Sequence, residues 1–319
     1  MVTQVNEPCK EKLGGWVPVL LLLLATAFWG VSFTLVKSVV SDVGPFTFIT
    51  WRCAVALPCF LVWQSRQQWK SIDLPSTLAG LVLGLLLYAM FALQTIGITM
   101  TTATNAALLT GTYVVLTPIF ALVLIRERLR WGTVGGVLLA ASGILVLTEG
   151  NITTMNRGDL LVLGGTIFIA LQIIAVQVWT KRFNPYLMAT HQILWLGLLS
   201  LASMMIWEDM AFIPRGWMFW FTVFTTGFFS TFLAFLIQAT MQRKTTASVA
   251  ALIYATEGVW GAFFAWLIGG ELIGWGVVAG GGLLFAGILV AEYSQIRKAI
   301  PLRWVQWAGS IRRRKVDLH

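Results

Sequence analysis

The sequence has few charged residues: Asp, Glu, Lys and Arg make up 11% of its 319 residues, and hydrophobic residues make up 58%. Soluble globular domains carry about 25% charged residues, so this chain has too little polar surface to cover itself in water. It has three cysteines, of which Cys53 and Cys59 fall in one predicted helix and Cys9 in the N-terminal tail. This arrangement argues against a disulfide framework.

Several chemical motifs are also missing. The sequence contains no Walker A loop, no zinc-ligand spacing and no nucleophile triad. Because the connections between apolar runs are short, there is no room for a soluble domain. These absences exclude an ATP-driven pump and an enzyme with a soluble catalytic domain. We therefore expect no enzymatic activity, no cofactor and no metal.

Long apolar runs fill almost the whole chain. A membrane-spanning helix needs about 20 mostly apolar residues, and the sequence contains ten such runs. It therefore predicts an all-α integral membrane protein. The predicted helices 1 to 10 cover residues 17–39, 45–63, 75–97, 101–125, 131–148, 158–180, 186–207, 217–240, 246–268 and 275–293.

Basic residues are concentrated in alternate loops and in the two tails. Since Lys and Arg favour the cytoplasmic side, the N-terminal tail 1–16, every second loop and the C-terminal tail 294–319 are predicted to be cytoplasmic. The net charge of +9 is therefore mainly a topology signal. We expect the basic C-terminal tail to attract anionic lipid and not nucleic acid.

Two stretches in different halves of the chain are nearly the same. Residues 101–108 read TTATNAAL and residues 245–252 read TTASVAAL, and at the same offset of 144 residues Glu127 matches Glu271. About 20 of 47 aligned positions are identical. Shared Thr and Glu residues in register are not what chance similarity between two apolar helices supplies. The chain therefore contains an internal repeat.

The two repeats, residues 17–148 and 158–293, each hold five predicted helices. Because five is odd, the second repeat crosses the membrane in the opposite direction to the first. Inverted repeats are the architecture of secondary transporters, with the substrate site near the midplane between the halves. TTATNAAL is then expected to begin its helix at the outer face and TTASVAAL at the inner face. We interpret the two copies as matching gates for alternating access.

Four stretches stand in a fixed order along the chain: FWGVSFTLVK, PFTFITWR, TTATNAALLTGTYVVLTPIFALVLIRERL and TTASVAALIYATEGVWGAFFAWLIGGELIGWG. Together they resemble the EamA-type branch of the drug/metabolite transporter (DMT) superfamily, over residues 17–293. The nearest likeness is to the bacterial aromatic amino-acid exporter group. The resemblance implies ten helices in two inverted halves, with a central cavity lined by helices 1–4 and 6–9. The chain departs from many relatives at Gly258, where a proline usually follows the glutamate.

Three residues are the main candidates for substrate chemistry. Glu257 falls near the centre of helix 9, where a charge costs roughly 3 kcal/mol, so it is a candidate proton carrier or a partner for a substrate ammonium. Its counterpart in the first repeat is Tyr113, which is expected at a similar depth across the cavity. Arg52 in helix 2 must face a cavity or a partner. It either binds a substrate carboxylate or makes structural bonds to carbonyl groups.

Deep aromatic residues are candidates for contacts with an apolar part of the substrate. Trp29, Tyr88, Phe168 and Tyr254 fall on helices expected to line the cavity, and aromatic walls with a few polar anchors suit such a substrate. Plain packing is the alternative for each of them. Polar residues within the helices are predicted to have gating or structural roles through interhelical hydrogen bonds. They are Gln94, Gln238, Asn105, His191 and Lys37.

These features predict a secondary transporter of the plasma membrane, the inner membrane in a bacterium. Its predicted substrates are amino acids, aromatic ones among them, and related amphiphilic metabolites, and the predicted direction is export. The alternative is a carrier of cationic drugs or of another metabolite class. A phosphorylated substrate would need more basic residues than Arg52 and Lys37. The inverted repeat disfavours a channel or an intramembrane enzyme. We expect a monomer or a homodimer.

Overall fold

Helices form almost all of the computed structural model, which describes residues 17–66, 73–147, 155–208, 216–272 and 274–299, with no strand among them. The N-terminal tail and residues 300–319 of the basic C-terminal tail lie outside the described residues. The ten helices are Val17–Val43, Pro45–Arg66, Leu74–Met100, Ala103–Thr110 with Tyr113–Ile125, Trp131–Leu147, Arg157–Trp179, Pro185–Trp207, Trp217–Met241, Ala247–Tyr254 with Glu257–Leu267, and Trp275–Ala299.

Eight of the ten helices among the described residues are long and apolar enough to cross a membrane, and helices 5 and 10 contain shorter apolar stretches. Large apolar side chains such as Leu20, Leu85, Val123 and Leu267 are exposed on the outside of the bundle. In lipid this exposure carries no penalty, because the bilayer core is as apolar as these side chains. The prediction of an all-helical membrane fold is confirmed.

Helices 4 and 9 are each interrupted at the same position of the repeat. Helix 4 breaks at Gly111–Thr112 and helix 9 at Ala255–Thr256. In both, the threonine donates its amide and its hydroxyl to the carbonyl three residues earlier: Thr112 to Leu109, and Thr256 to Ile253. This side-chain bond competes with the regular helical bond and turns the chain. Helix 9 is thus interrupted immediately before Glu257 although Gly258 replaces the usual proline.

Helices 5 and 10 pack mainly on each other, outside the rest of the bundle. A Cβ atom added to Gly136 would lie 2.5 Å from the Gly287 carbonyl oxygen and 2.9 Å from the Ala291 Cβ. Small residues allow this close approach of two backbones. The glycines Gly132 and Gly136 of helix 5 therefore face helix 10 of the same chain, which also agrees with the position expected for these two helices.

Candidate functional site

A central cavity of about 60 Å³ lies between helices 1, 2, 3, 4, 6, 8 and 9. Its polar lining comes from both repeats, and most of its remaining lining is aromatic or aliphatic. Of the twelve residues singled out as site or gating candidates, seven line it: Glu257, Tyr113, Arg52, Trp29, Tyr254, Gln94 and Gln238. The cavity therefore lies where inverted repeats are expected to meet.

Glu257 and Tyr113 come together across the interface of the two repeats. Both are buried, with 6% and 1% of their surfaces exposed, and both line the cavity, where the phenol and the carboxyl group are near enough to interact electrostatically. Each is the first residue after the break in its helix, and helices 4 and 9 pack closely because Gly258 and Gly261 lie against Ala107. The repeat counterparts thus face each other, as the offset of 144 residues predicts.

Arg52 supplies a buried positive charge on another side of the cavity. Its Nε donates a hydrogen bond to the Thr231 hydroxyl at 2.5 Å, and its guanidinium carbon lies 4.7 Å from the centre of the Phe91 ring. Within the part of the chain that the structure describes, no carboxylate forms an ion pair with it. The structural bond is therefore to a side-chain hydroxyl, whereas carbonyl groups were the predicted structural partners.

Aromatic rings form one continuous group beside these polar residues. The Trp29 ring centre lies 5.5 Å from that of Phe235 and 5.2 Å from that of Tyr254, and Phe235 lies 6.4 Å from Phe91. Edge-to-face and tilted arrangements at these separations are favourable. The cavity therefore combines an acidic side chain, a basic side chain and a set of flat apolar surfaces.

Glutamine residues connect the helices around the cavity. Gln172 and Gln238 exchange amide hydrogen bonds at 3.2 and 3.1 Å, and Gln94 donates to the Thr110 hydroxyl at 3.0 Å. Tyr254, the repeat counterpart of Thr110, donates its hydroxyl proton to Gln242 at 3.1 Å. Such bonds join neighbouring helices inside the membrane.

The remaining candidates lie away from the cavity lining. Tyr88 bonds to Ser203, Phe168 packs beside the main apolar cluster, and the His191 ring bonds to the Leu187 carbonyl. Asn105 is exposed. Lys37 donates to the carbonyl groups of Ile98 and Thr99 at 2.9 and 3.3 Å, at the end of helix 3. A cation at a helix C-terminus is a stabilising arrangement.

The matched glutamates of the repeat bind across the two halves. Glu271 accepts a hydrogen bond from the Ala103 amide at 3.3 Å and another from the Thr104 hydroxyl. At the opposite end of the bundle, Glu127 accepts one from the Ala247 amide at 3.2 Å. Each glutamate therefore caps the short helical segment that begins with the repeated Thr-Thr-Ala of the other half. A carboxylate at this end of a helix satisfies its unpaired amide groups.

The backbone places both glutamates in the same way. The preceding residues have left-handed conformations, with φ of 51° at Arg126 and 71° at Gly270. The amides of Glu127 and Glu271 bond to the carbonyls six residues earlier, at 3.1 and 3.0 Å. A residue in the left-handed conformation is a common end of a helix. Both repeats therefore contain the same helix end and the same glutamate. Both also contain the short helical segment that the glutamate of the other repeat caps.

Sequence reasoning did not predict several residues that shape the site. Thr110 and Thr231 are buried hydroxyls that bond to cavity residues, and Phe91 and Phe235 complete the aromatic group. Thr110 was recognisable as the repeat counterpart of Tyr254. The others are set by tertiary packing and have no local signal. The described residues contain no group of three or more His, Cys, Asp or Glu side chains that could hold a metal ion.

Two inverted five-helix repeats around a mostly apolar cavity with a few buried polar side chains define a multi-span membrane transporter. The chain belongs to the EamA-like transporter family, whose model matches residues 16–149 and 156–293. An uncharacterized transporter of Archaeoglobus fulgidus is 30% identical over 252 residues, covering 79% of this chain and 78% of its own. The uncharacterized transporter YyaM of Bacillus subtilis is 25% identical, with coverages of 86% and 92%. Both relatives are consistent with a plasma-membrane location.

One crystal structure of another protein has the same fold, with a TM-score of 0.71 at 18% sequence identity. The match covers 88% of this chain and 98% of the other. Such low identity shows the fold alone. The EamA resemblance drawn from the motifs is confirmed at the level of the family, whereas the aromatic amino-acid exporter group receives no support from these relatives.

Proposed function

We propose that this transporter carries small zwitterions of the amino-acid class, including aromatic ones, by alternating access, and that its physiological direction is export. The observation that supports this proposal is the presence of one acidic and one basic side chain in the same cavity: Glu257 and Arg52 are both buried there, with no ion pair between them. A buried charge is costly unless it is compensated. A zwitterion compensates both, with its carboxylate on Arg52 and its ammonium on Glu257.

The same charges argue against the alternative substrates. A purely cationic drug would pair with Glu257. Its positive charge would then lie in the same cavity as the buried guanidinium of Arg52, which would repel it. A phosphorylated metabolite usually needs several cations. Lys37 does not line the cavity, because its ammonium group is bonded to the end of helix 3. The aromatic group around Trp29 provides the apolar surface that an aromatic side chain would contact.

The cavity volume indicates that the substrate enters only after the protein opens. A void needs about 10–15 Å³ to hold a single water, and a water in the liquid occupies about 30 Å³, so 60 Å³ has room for only a few waters. In the proposed cycle, Ala103–Thr110 is one gate segment and Ala247–Tyr254 is the other. Each is hinged at the break before Tyr113 or Glu257 and is held closed by the glutamate of the opposite repeat. Opening at one end exposes the cavity to one side of the membrane.

The first test is uptake into proteoliposomes that contain the purified protein. Labelled phenylalanine, tryptophan, threonine and a cationic dye are compared, each with and without a pH gradient. We expect saturable amino-acid flux that unlabelled amino acids inhibit. Flux of the dye alone would favour the multidrug alternative, and the absence of any amino-acid flux would contradict the proposed substrate class.

Two single substitutions then test the proposed charge pairing. Removing one partner of a buried charge pair costs about 2–5 kcal/mol, so Arg52→Gln and Glu257→Gln should each weaken amino-acid transport at least tenfold. Lys181→Gln is a suitable control, because Lys181 is exposed. If Glu257 carries a proton, its variant should lose only the response to the pH gradient. If it binds the ammonium, flux should disappear with and without the gradient. Normal transport under both conditions would exclude both roles.

A further inference from the structure

The middle of helix 8 has an unusual backbone. Residues Thr226–Leu233 form a π-helical segment, whereas the corresponding residues 82–89 of the first repeat lie in the regular helix Leu74–Met100. π-Helical segments are rare and occur frequently at functional sites. This segment therefore breaks the symmetry of the two repeats beside the cavity.

Thr231 connects this segment to Arg52. Its hydroxyl donates to the carbonyl of Thr226, five residues earlier, at 3.0 Å, and accepts the hydrogen bond from the Arg52 Nε. Thr231 is completely buried. The π-helical segment thus holds a fixed acceptor against one edge of the guanidinium.

This bond limits how Arg52 can meet a ligand. A guanidinium has five N–H donors, one on Nε and four on the two terminal nitrogens. Since Thr231 takes the Nε donor and the guanidinium carbon lies over the Phe91 ring, the terminal nitrogens remain for the cavity. Two parallel N–H donors match the two oxygens of a carboxylate. The side chain is therefore held in the orientation that accepts a carboxylate through its end.

The same segment also fixes an aromatic wall of the cavity. The Trp29 indole donates to the Ser230 carbonyl at 2.9 Å, and the Ser230 hydroxyl donates to the Phe28 carbonyl of helix 1. Two neighbouring residues of one π-helical segment thus hold the cation and one ring of the cavity. The π-helical segment therefore positions two side chains that line the cavity, in addition to its role in helix packing.

We infer that Thr231 is a positioning residue for substrate recognition, which orients the terminal nitrogens of Arg52 toward a substrate carboxylate. The inference rests on the proposed function, because it assumes a carboxylate-bearing substrate. A purely structural role would give a different result. Loss of a structural bond lowers the amount of active protein, whereas loss of orientation lowers the affinity of each active molecule.

The experiment measures concentration-dependent uptake in proteoliposomes, with the labelled amino acid that the wild-type protein carries fastest among phenylalanine, tryptophan and threonine. Thr231→Val removes the hydroxyl at nearly constant shape and should raise the half-saturating concentration about tenfold, as the loss of a well-oriented bond to a charged group does. The maximal flux per folded protein should change little. Thr231→Ser keeps the hydroxyl and should restore the wild-type value.

Thr222→Val is the matched control in helix 8, since the buried Thr222 hydroxyl has no hydrogen-bond partner among the described residues. If Thr231→Val does not fold, Thr231→Ala removes the same hydroxyl with a smaller side chain and is assayed in the same way. A reduced maximal flux at an unchanged half-saturating concentration would overturn the positioning role. If the wild-type protein carries no amino acid, the proposed function fails, and that result is distinct from a failure of this inference.

Discussion

Removing the Glu271 carboxylate should loosen the segment Ala103–Thr110 at its capped end. The carboxylate accepts two hydrogen bonds there, from the Ala103 amide and the Thr104 hydroxyl. Losing a side-chain acceptor at a helix N-terminus costs about 0.5–2 kcal/mol, and a negative charge at that end contributes roughly 0.3–1 kcal/mol. We therefore expect Glu271→Ala to destabilise the closed end by about 1–2 kcal/mol, which changes the ratio of closed to open molecules about 5–30-fold.

This change can be measured as the accessibility of a thiol inside the cavity. The reporter is Ser32→Cys, which lines the cavity, in a chain whose three native cysteines are replaced by alanine. A membrane-impermeant maleimide is added to one side of oriented vesicles. Glu271→Ala should increase the labelling rate about 5–30-fold from the face on which Ala103 lies, and labelling from the opposite face should stay the same.

Two controls separate gating from general loss of stability. Glu127→Ala removes the repeat counterpart and should increase labelling from the opposite face. Asp73→Ala removes a cap that bonds Ser76 within helix 3 at 2.8 Å, so it should lower thermal stability without favouring either face. Faster labelling from the same face in both glutamate variants, or unchanged labelling in both, would refute the reasoning.

Two further predictions concern stability, measured as the midpoint of thermal unfolding in detergent. Gly136→Ala places a Cβ 2.5 Å from the Gly287 carbonyl and should destabilise the contact of helices 5 and 10 by about 1–3 kcal/mol. Gly282→Ala adds a Cβ that has none of the described atoms within 4 Å and should leave the midpoint unchanged. Equal losses in the two variants would contradict this account. Arg126→Gly should raise the midpoint, because a left-handed φ of 51° costs a non-glycine residue about 1–2 kcal/mol. A lower midpoint would show that the Arg126 side chain contributes more than the strain.

The positions of the helices were predictable because the bilayer fixes the length of an apolar span. Predicted helix 6 covered residues 158–180 and the structure has Arg157–Trp179, whereas helices 1, 2, 3 and 10 extend three to six residues beyond their predicted ends. The interruptions in helices 4 and 9 were not predicted, although Thr112 and Thr256 are identical in the repeat alignment. The turn they make depends on one side-chain bond, which hydropathy does not report.

The direction in which each side chain points was the least predictable feature of the site. In a soluble helix, apolar and polar faces separate the core from the surface. Here both the core and the lipid are apolar, so Tyr88 and Phe168 had the same sequence signal as Trp29. Glu257, Tyr113 and Arg52 were better predicted, because a polar group within a membrane span must face a cavity or a partner. The bond from Arg52 to Thr231 depends on the π-helical segment and had no local signal.

The crossed caps have a consequence for how such a protein is assembled. A single repeat carries a glutamate without the helix end that it binds, and a helix end without the glutamate that caps it. Neither deficit can be met within one half, because the two groups lie at opposite ends of the bundle. In an isolated half, the glutamate and the helix end would both find their partners only in an antiparallel copy of the same half. When two such halves are joined in one chain, their pairing no longer depends on the concentration of the halves. It also no longer requires that identical copies insert into the membrane in both orientations.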